Sequence, residues 1–319
     1  MAKYLLKIVP EDLFKKFSEN SYQSTVFTSP NFINLFDYSA KYWMFYKGDE
    51  EVCGWPICLK KETDEHYYPD FFYYFGPVWS KKFFLSPEHS WLSLSTNVYS
   101  EYIDKFSNLY KNYNFQLHPT LKDVRIFSWH NYGTTKKKFT ISPKYTAIIK
   151  DLEKKNENDI KANFRYWRRN EINKVTKNSN FFISEEYKPK EIIDLYLSVY
   201  HKQNKIVSKS GLKDLETIVK KSTKENYIKI LTLRDKDIKE PISMTINILE
   251  KNKMNLLANA TDIKFKNLGC NAFLIHKTIM MSKNLGVKSF DFNGANSPQR
   301  ADDKHSFGSS PDLFFDISI

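Results

Sequence analysis

Glycine is scarce in this chain, with 9 among 319 residues, so the glycine-bearing, charged stretch "SFDFNGANSPQRADDKHSFGSSPDLFF" near its end stands out. Cysteine is scarcer still. Cys53, Cys58 and Cys270 contain no CxxC pair and cannot all pair with one another, which argues against a disulfide scaffold, suggests no zinc site and points to a reducing cytoplasm. No stretch reaches the roughly 18 apolar residues that a membrane helix requires, and "MAKYLLKIVPEDLFKKF" lacks a long uncharged core. The expectation is a soluble, cytoplasmic protein, with peripheral contact to a membrane left open.

What the chain has is rings and positive charge. Its hydrophobic share is 41%, with 25 Phe and 20 Tyr, so the interior should be built of rings, and the length suits two folded units. The formal charge of +12, from 49 Lys and Arg against 37 Asp and Glu, favours an anionic partner such as phosphate, nucleic acid or acidic headgroups. A lysine-rich proteome would give the same excess with no partner at all.

Periodicity supplies the elements. "PEDLFKKFSEN" reads as a first helix and "SPNFINLFDYSA" as a second, capped by Ser29. The apolar runs around Lys47, Gly48 and Asp49 mark a hairpin, and "DFFYYFGPVWS" reads as a further extended run. "HSWLSLSTNVYSEYIDKFSNLYKNY" has helical spacing, "DVRIFSWHNY" reads as a strand, and a polar linker follows. The expected units are residues 1–140 and 141–319.

The second unit opens with the strand "YTAIIKDL" and a single basic helix, "NENDIKANFRYWRRNEINKVTK". "KPKEIIDLYLSVYHKQN" and "LKDLETIVKKS" are further helices. "YIKILTLRD", "PISMTINILEK" and "KMNLLANATD" are closely spaced strands that imply an antiparallel meander. A buried helix, "GCNAFLIHKTIMMSKNLG", and the strand "VKSFDFNG" complete it. Both units are expected to be α+β, with helices flanking a mostly antiparallel mixed sheet.

Three constellations could carry chemistry. At Gly269, between a strand and a helix, free backbone N–H groups would collect and seat an anion, with Lys264 and Lys266 just before. On the basic helix, 100° per residue places Ile160, Phe164, Trp167 and Val175 on one apolar arc, and Arg168 falls within it. A buried arginine needs a partner, which could be Glu171, another carboxylate or a ligand phosphate; Arg165 and Arg169 lie beside it. Last, Phe290 and Phe292 alternate with Asp291 and Asn293, and Gln299, Arg300, Lys304 and His305 gather on a following loop that Phe307 should anchor.

The order of strand, glycine turn, helix and strand resembles the core of the GNAT acyltransferase fold, whose turn reads Q/RxxGxG/A; here Lys266, Gly269 and Asn271 occupy its positions. Taken over nearly the whole chain, "TVFTSPNFINLF", "YFGPVWS", "RRNEINK", "DFNG" and "KHSFG" resemble the Fem-type (FemAB/FemX-like) branch, built from two GNAT-like domains in tandem. The resemblance implies transfer of an acyl or aminoacyl group, commonly from aminoacyl-tRNA, to an amine on a cell-wall precursor or another glycan. It assigns Lys304 to the reacting carbonyl or the donor's phosphates, Arg168 and Arg169 to donor or acceptor phosphate, and Lys266, Gly269 and Asn271 to the donor. Arg165, Arg300 and Asn293 join the substrate side. It implies neither a metal nor a resident cofactor, because an ester-linked donor is already activated. The alternatives are an acyl-CoA-dependent N-acyltransferase acting on an amino sugar, and a non-catalytic protein that binds RNA or glycan.

Overall fold

The computed structural model describes residues 4–202, 206–238 and 240–319. By contacts they divide into two units, Met1–Lys144 with Leu313–Ile319, and Tyr145–Asp312. The boundary read from the sequence lies after residue 140; by contacts it falls after Lys144, and the end of the chain packs within the first unit.

In the first unit β1 (Tyr4–Val9), β2 (Ser39–Lys47), β3 (Glu50–Leu59) and β4 (Val78–Trp79) form an antiparallel sheet in that order. Between β1 and β2 lie α1 (Glu11–Glu19) and the short α2 (Pro30–Ile33). Ser29 holds the cap position of α2, yet its side chain makes no capping bond. The helices α3 (Lys81–Phe84) and α4 (Glu88–Leu109) follow β4. The buried face of α4 presents Val98, Tyr102 and Phe106 to Trp43, Phe45 and Trp55, and the Tyr102 hydroxyl donates to the Cys53 carbonyl over 2.9 Å. The ring-rich interior is therefore real, and the buried tyrosine has the partner its hydroxyl requires.

Two strand expectations fail in this unit for physical reasons. "DFFYYFGPVWS" forms a strand over Val78 and Trp79 alone, with an isolated bridge from Ser80 to Ser21, because Tyr74 at φ 54° turns the chain and Phe72 packs instead against Phe27, Phe32 and Phe36. "DVRIFSWHNY" forms the helix α5 (Arg125–Trp129), which follows the short strand β5 (Asn114–Gln116). The Asp123 carboxylate accepts from the Arg125 backbone N–H over 3.1 Å, a local start signal that overrides the strand-like composition.

The second unit takes over along β6 (Thr140–Ile149). The expected single basic helix is two, α6 (Glu157–Ala162) and α7 (Tyr166–Thr176). At the break, Gly308 at φ 71° lies so close to Asn163 that a Cβ would stand 2.8 Å from its carbonyl oxygen, and the Arg165 N–H donates to the Ser306 carbonyl over 2.9 Å. Next come β7 (Phe181–Ser184), α8 (Pro189–Lys202) and α9 (Lys209–Lys221). The predicted end of α8 at residues 203 and 204 lies outside the described residues.

The meander is as expected: β8 (Ile228–Asp235), β9 (Pro241–Leu249) and β10 (Lys253–Thr261) pair antiparallel. After it α10 (Cys270–Asn284) leads to β11 (Ser289–Asp291), which pairs parallel with β10 and antiparallel with β6. The strand order in this unit is β6-β11-β10-β9-β8-β7. Met254 and Leu256 face the cluster formed with α10 and α7, so by alternation Asn255 faces the other way. The expected loop after Gly294 contains a helix, α11 (Pro298–His305), which Pro298 starts from its first turn. The chain then runs into β12 (Ser310–Ser318), whose end pairs with β5 in the first unit.

Candidate functional site

The alternation "FDFN" places Phe290 and Phe292 in the core, and the structure completes the polar face. Asp291 is fully buried; it accepts from the Thr146 hydroxyl and, over 2.9 Å, from the Asn293 N–H, with the Lys253 ammonium 3.7 Å away. The parallel register of β10 and β11 runs from Lys253 opposite Ser289 to Asn255 opposite Asp291, and stops. Beyond it the chain follows β6: the Phe292 N–H donates to Ala147 over 2.9 Å and the Ala295 N–H to Tyr145 over 2.6 Å. β10 continues to Thr261 without that neighbour, and the Asn293 amide bridges the opening by donating to the Leu256 carbonyl over 3.2 Å. Two parallel strands therefore part at this point.

The turn beside the parting is built around Lys304. Asn293 at φ 48° and Gly294 at φ 53° adopt left-handed backbone, which an L residue reaches at a cost and Asn tolerates better than most. Their carbonyls and that of Phe292 converge on the Lys304 ammonium, at 2.9 Å for Phe292 and 2.7 Å for Gly294. A cation with three donors thus meets three acceptors. Burial pulls its pKa down to about 8, Asp291 pushing the other way and Arg300 adding to the drop. In this arrangement Lys304 binds protein oxygen and fixes the path of the turn.

Arg168 secures α11 from its other side. It is buried, and its guanidinium lies between the Trp167 and Phe307 rings, 4.2 and 4.5 Å from their centroids. It donates to Glu171 over 2.8 Å, to the Ser306 hydroxyl over 2.9 Å and to the Asp303 carboxylate. Of the partners the sequence left open, the chain's own carboxylates occupy it. The break between α6 and α7 also corrects the apolar arc. Ile160 and Phe164 stay buried, but Trp167 emerges to 43% exposure, and Arg168, Ile172 and Val175 form the buried face of α7.

The remaining predicted residues sort into two places. Arg165 pairs with Asp302 of α11 over 2.6 Å, Arg169 donates to the Ala162 and Phe164 carbonyls over 2.9 and 2.7 Å, and Arg300 is exposed on α11. Lys266 is exposed on a turn of 3-10 helix before α10. Gly269, at φ 86°, starts α10 with no side-chain cap, and a Cβ there would meet the Glu171 carbonyl oxygen at 2.9 Å. Asn271 accepts from the Asn259 amide over 2.9 Å, tying the start of α10 to the end of β10. The first N–H groups of α10 thus lie beside α7 with no capping side chain.

Sequence reasoning missed Asp303 and Ser306, which hold Arg168, and Thr146, which holds Asp291. The buried position of Arg168 was the usable signal for the first two, since a buried guanidinium demands acceptors from somewhere. Among the described residues, no helix is long and apolar enough to cross a membrane, and no group of three or more His, Cys, Asp or Glu could hold a metal ion.

The parted parallel strands and the glycine-started helix between them give the second unit a GNAT-like core, and the chain as a whole has a tandem-GNAT, Fem-like fold of α+β class. Comparison with solved structures agrees. FemX superposes with a TM-score of 0.64 at 9% identity, covering 98% of this chain and 96% of its own. L-PGS from Bacillus licheniformis does so at 0.57 and 11% identity, covering 98% and 92%. A tandem GNAT protein from the clavulanic acid biosynthesis pathway does so at 0.54 and 8%, covering 99% and 98%. No protein-family model and no curated protein matches the chain by sequence.

Proposed function

We propose that this chain transfers an aminoacyl group from aminoacyl-tRNA to an amine of a cell-wall precursor or surface-glycan intermediate. The observation that carries the reading is the start of α7. Tyr166 is 71% exposed, Trp167 is 43% exposed, and Arg165 and Arg169 flank them. Exposed rings between guanidinium groups suit the unpaired end of an RNA, whose bases stack and whose phosphates take charge-assisted bonds. Arg300 on the neighbouring α11 adds to the same field.

The reaction needs the amine placed against an ester carbonyl and the developing oxyanion stabilised, with no resident metal or cofactor. The edge of β10 that β11 leaves after Asn255 offers backbone groups beyond Leu256 to an extended substrate, and Asn293 lines the opening. Lys304 serves as a positioning residue: through its three carbonyl partners it sets the turn at the mouth of the opening.

A second reading, acyl-CoA-dependent acylation of an amino sugar, draws on the uncapped start of α10 with Lys266 nearby, where a pyrophosphate could sit. Incubating the protein separately with charged tRNA and with acetyl-CoA tests both. Stable, salt-sensitive tRNA binding with slow ester hydrolysis supports the first, acetyl-CoA turnover supports the second, and binding of neither ends the transferase reading.

A further inference from the structure

The first unit carries a surface that the proposed transfer reaction does not use. Where α4 ends, Leu109 is 50% exposed; at the end of α5 Trp129 is 50% exposed, and in the following turn Tyr132 is 80% exposed. Short contacts tie the turn after α5 to the segment just beyond α4. The Tyr132 N–H donates to the Trp129 carbonyl over 2.9 Å, and the Asn131 amide donates to the Lys137 carbonyl over 2.6 Å. The Lys137 ammonium in turn reaches Asn112, just beyond α4, over 2.6 Å. Lys111, Lys136 and Lys138 are exposed around them. The acids nearby are Asp123, which is bound by the Arg125 guanidinium at 2.8 Å through each oxygen, and Asp104 on α4. The balance is positive.

We infer that this patch docks the protein on the surface of an anionic phospholipid bilayer. Tryptophan and tyrosine side chains favour the headgroup level, where an apolar ring and a polar tip are both satisfied, and an aliphatic neighbour such as Leu109 gains by entering the acyl boundary. Lysines are point charges on long apolar stems that reach lipid phosphates over a range of geometries. An RNA would be served better by guanidinium forks, and this patch sets one arginine, Arg125, against four exposed lysines, Lys111, Lys136, Lys137 and Lys138. Leu109 offers a base nothing comparable to a ring.

The test is co-sedimentation of the full chain with vesicles of phosphatidylcholine alone and of phosphatidylcholine mixed with phosphatidylglycerol. Binding should require phosphatidylglycerol and weaken roughly tenfold or more between low and high salt, as screening of several lysines demands. The double variant Trp129→Ser, Tyr132→Ser and the double variant Lys136→Gln, Lys138→Gln should each weaken binding by roughly tenfold while melting like the parent, since all four side chains lie outside the core. Equal binding to both vesicles, no vesicle binding, or variants that bind as the parent does would overturn the inference. So would a short single-stranded RNA whose binding is lost in the same variants while vesicle binding persists. Transfer from charged tRNA in free solution is read separately, so failure here leaves the transferase reading standing.

Discussion

Lys304 donates to the carbonyl oxygen of Gly294 over 2.7 Å, ten residues back along the chain, and so closes the segment between β11 and α11 into a ring with a cation at its centre. Removing that cation strands the carbonyls of Phe292 and Asn293 as well. Lys304→Met should therefore lower stability by about 1–3 kcal/mol at neutral pH, measured by urea denaturation. It should also slow transfer more than tenfold with donor affinity kept, because the turn it holds sets Asn293 at the opening where the amine must be placed.

The same lysine makes stability depend on pH with a definite sign. Its pKa falls from the ordinary 10.5 in the unfolded chain to about 8 in the fold. Between those values the unfolded chain holds the proton and the folded one does not, so stability rises with pH across the window and the advantage is lost as pH falls through about 8. The full span corresponds to about 3 kcal/mol. Denaturation of the parent and of Lys304→Met at a series of pH values should show this rise in the parent and a flatter line in the variant; parallel curves would refute it.

Arg168 is the second fixing point of α11, and its loss leaves Asp303 and Glu171 without their shared cation. Arg168→Met should cost about 1–3 kcal/mol, because the Ser306 hydroxyl and two partly exposed carboxylates lose a charge-assisted partner that the solvent only partly replaces. Asp303→Asn should cost less, since its partner keeps Glu171 and Ser306. A double-mutant cycle between positions 168 and 303 should return a coupling of about 1 kcal/mol or more; additive losses would show that the two groups act apart.

The order of elements in the second unit was legible because its signals are local. Alternation in "YIKILTLRD" and "PISMTINILEK" and the glycines that bound α10 needed no knowledge of the rest of the chain. What the periodicity of the basic helix could not carry was the break at Asn163–Arg165, because its cause lies well over a hundred residues away, where Gly308 and Ser306 press against it. In the same way Arg168 was recognisable as buried, while its acceptors Asp303 and Ser306 came from a segment that reads as a surface loop. α5 was misread for the opposite reason: composition favoured a strand, and one aspartate, Asp123, decided otherwise.

Gly269 and Gly286 bracket α10 and make a controlled pair. Both have positive φ, 86° and 76°, but a Cβ at Gly269 would meet Glu171 at 2.8 Å, whereas nothing lies within 4 Å at Gly286. Gly286→Ala should cost only the strain of the left-handed backbone, about 1 kcal/mol. Gly269→Ala adds displacement of α7 from the start of α10 and should cost about 2 kcal/mol or more, with weaker binding of any donor held there. Thermal melts of the two variants side by side check the difference.

The exposed rings and arginines of α7 separate the two donors. Tyr166→Ser and Arg165→Gln leave the buried face of α7 untouched, so both should keep the parent's melting temperature within a few degrees. If RNA is the donor, Tyr166→Ser should weaken charged-tRNA binding by about 1–3 kcal/mol, the worth of one stacked base. Arg165→Gln should lower the slope of log affinity against log salt by about 1, the signature of one lost phosphate contact. Acetyl-CoA binding should be unmoved by both, because the start of α10 that would hold it is organised by Gly269 and Asn271, at the other end of the Arg168–Glu171 bridge. Binding curves for tRNA that superimpose on the parent's at every salt concentration would place the donor elsewhere and return the question to the start of α10.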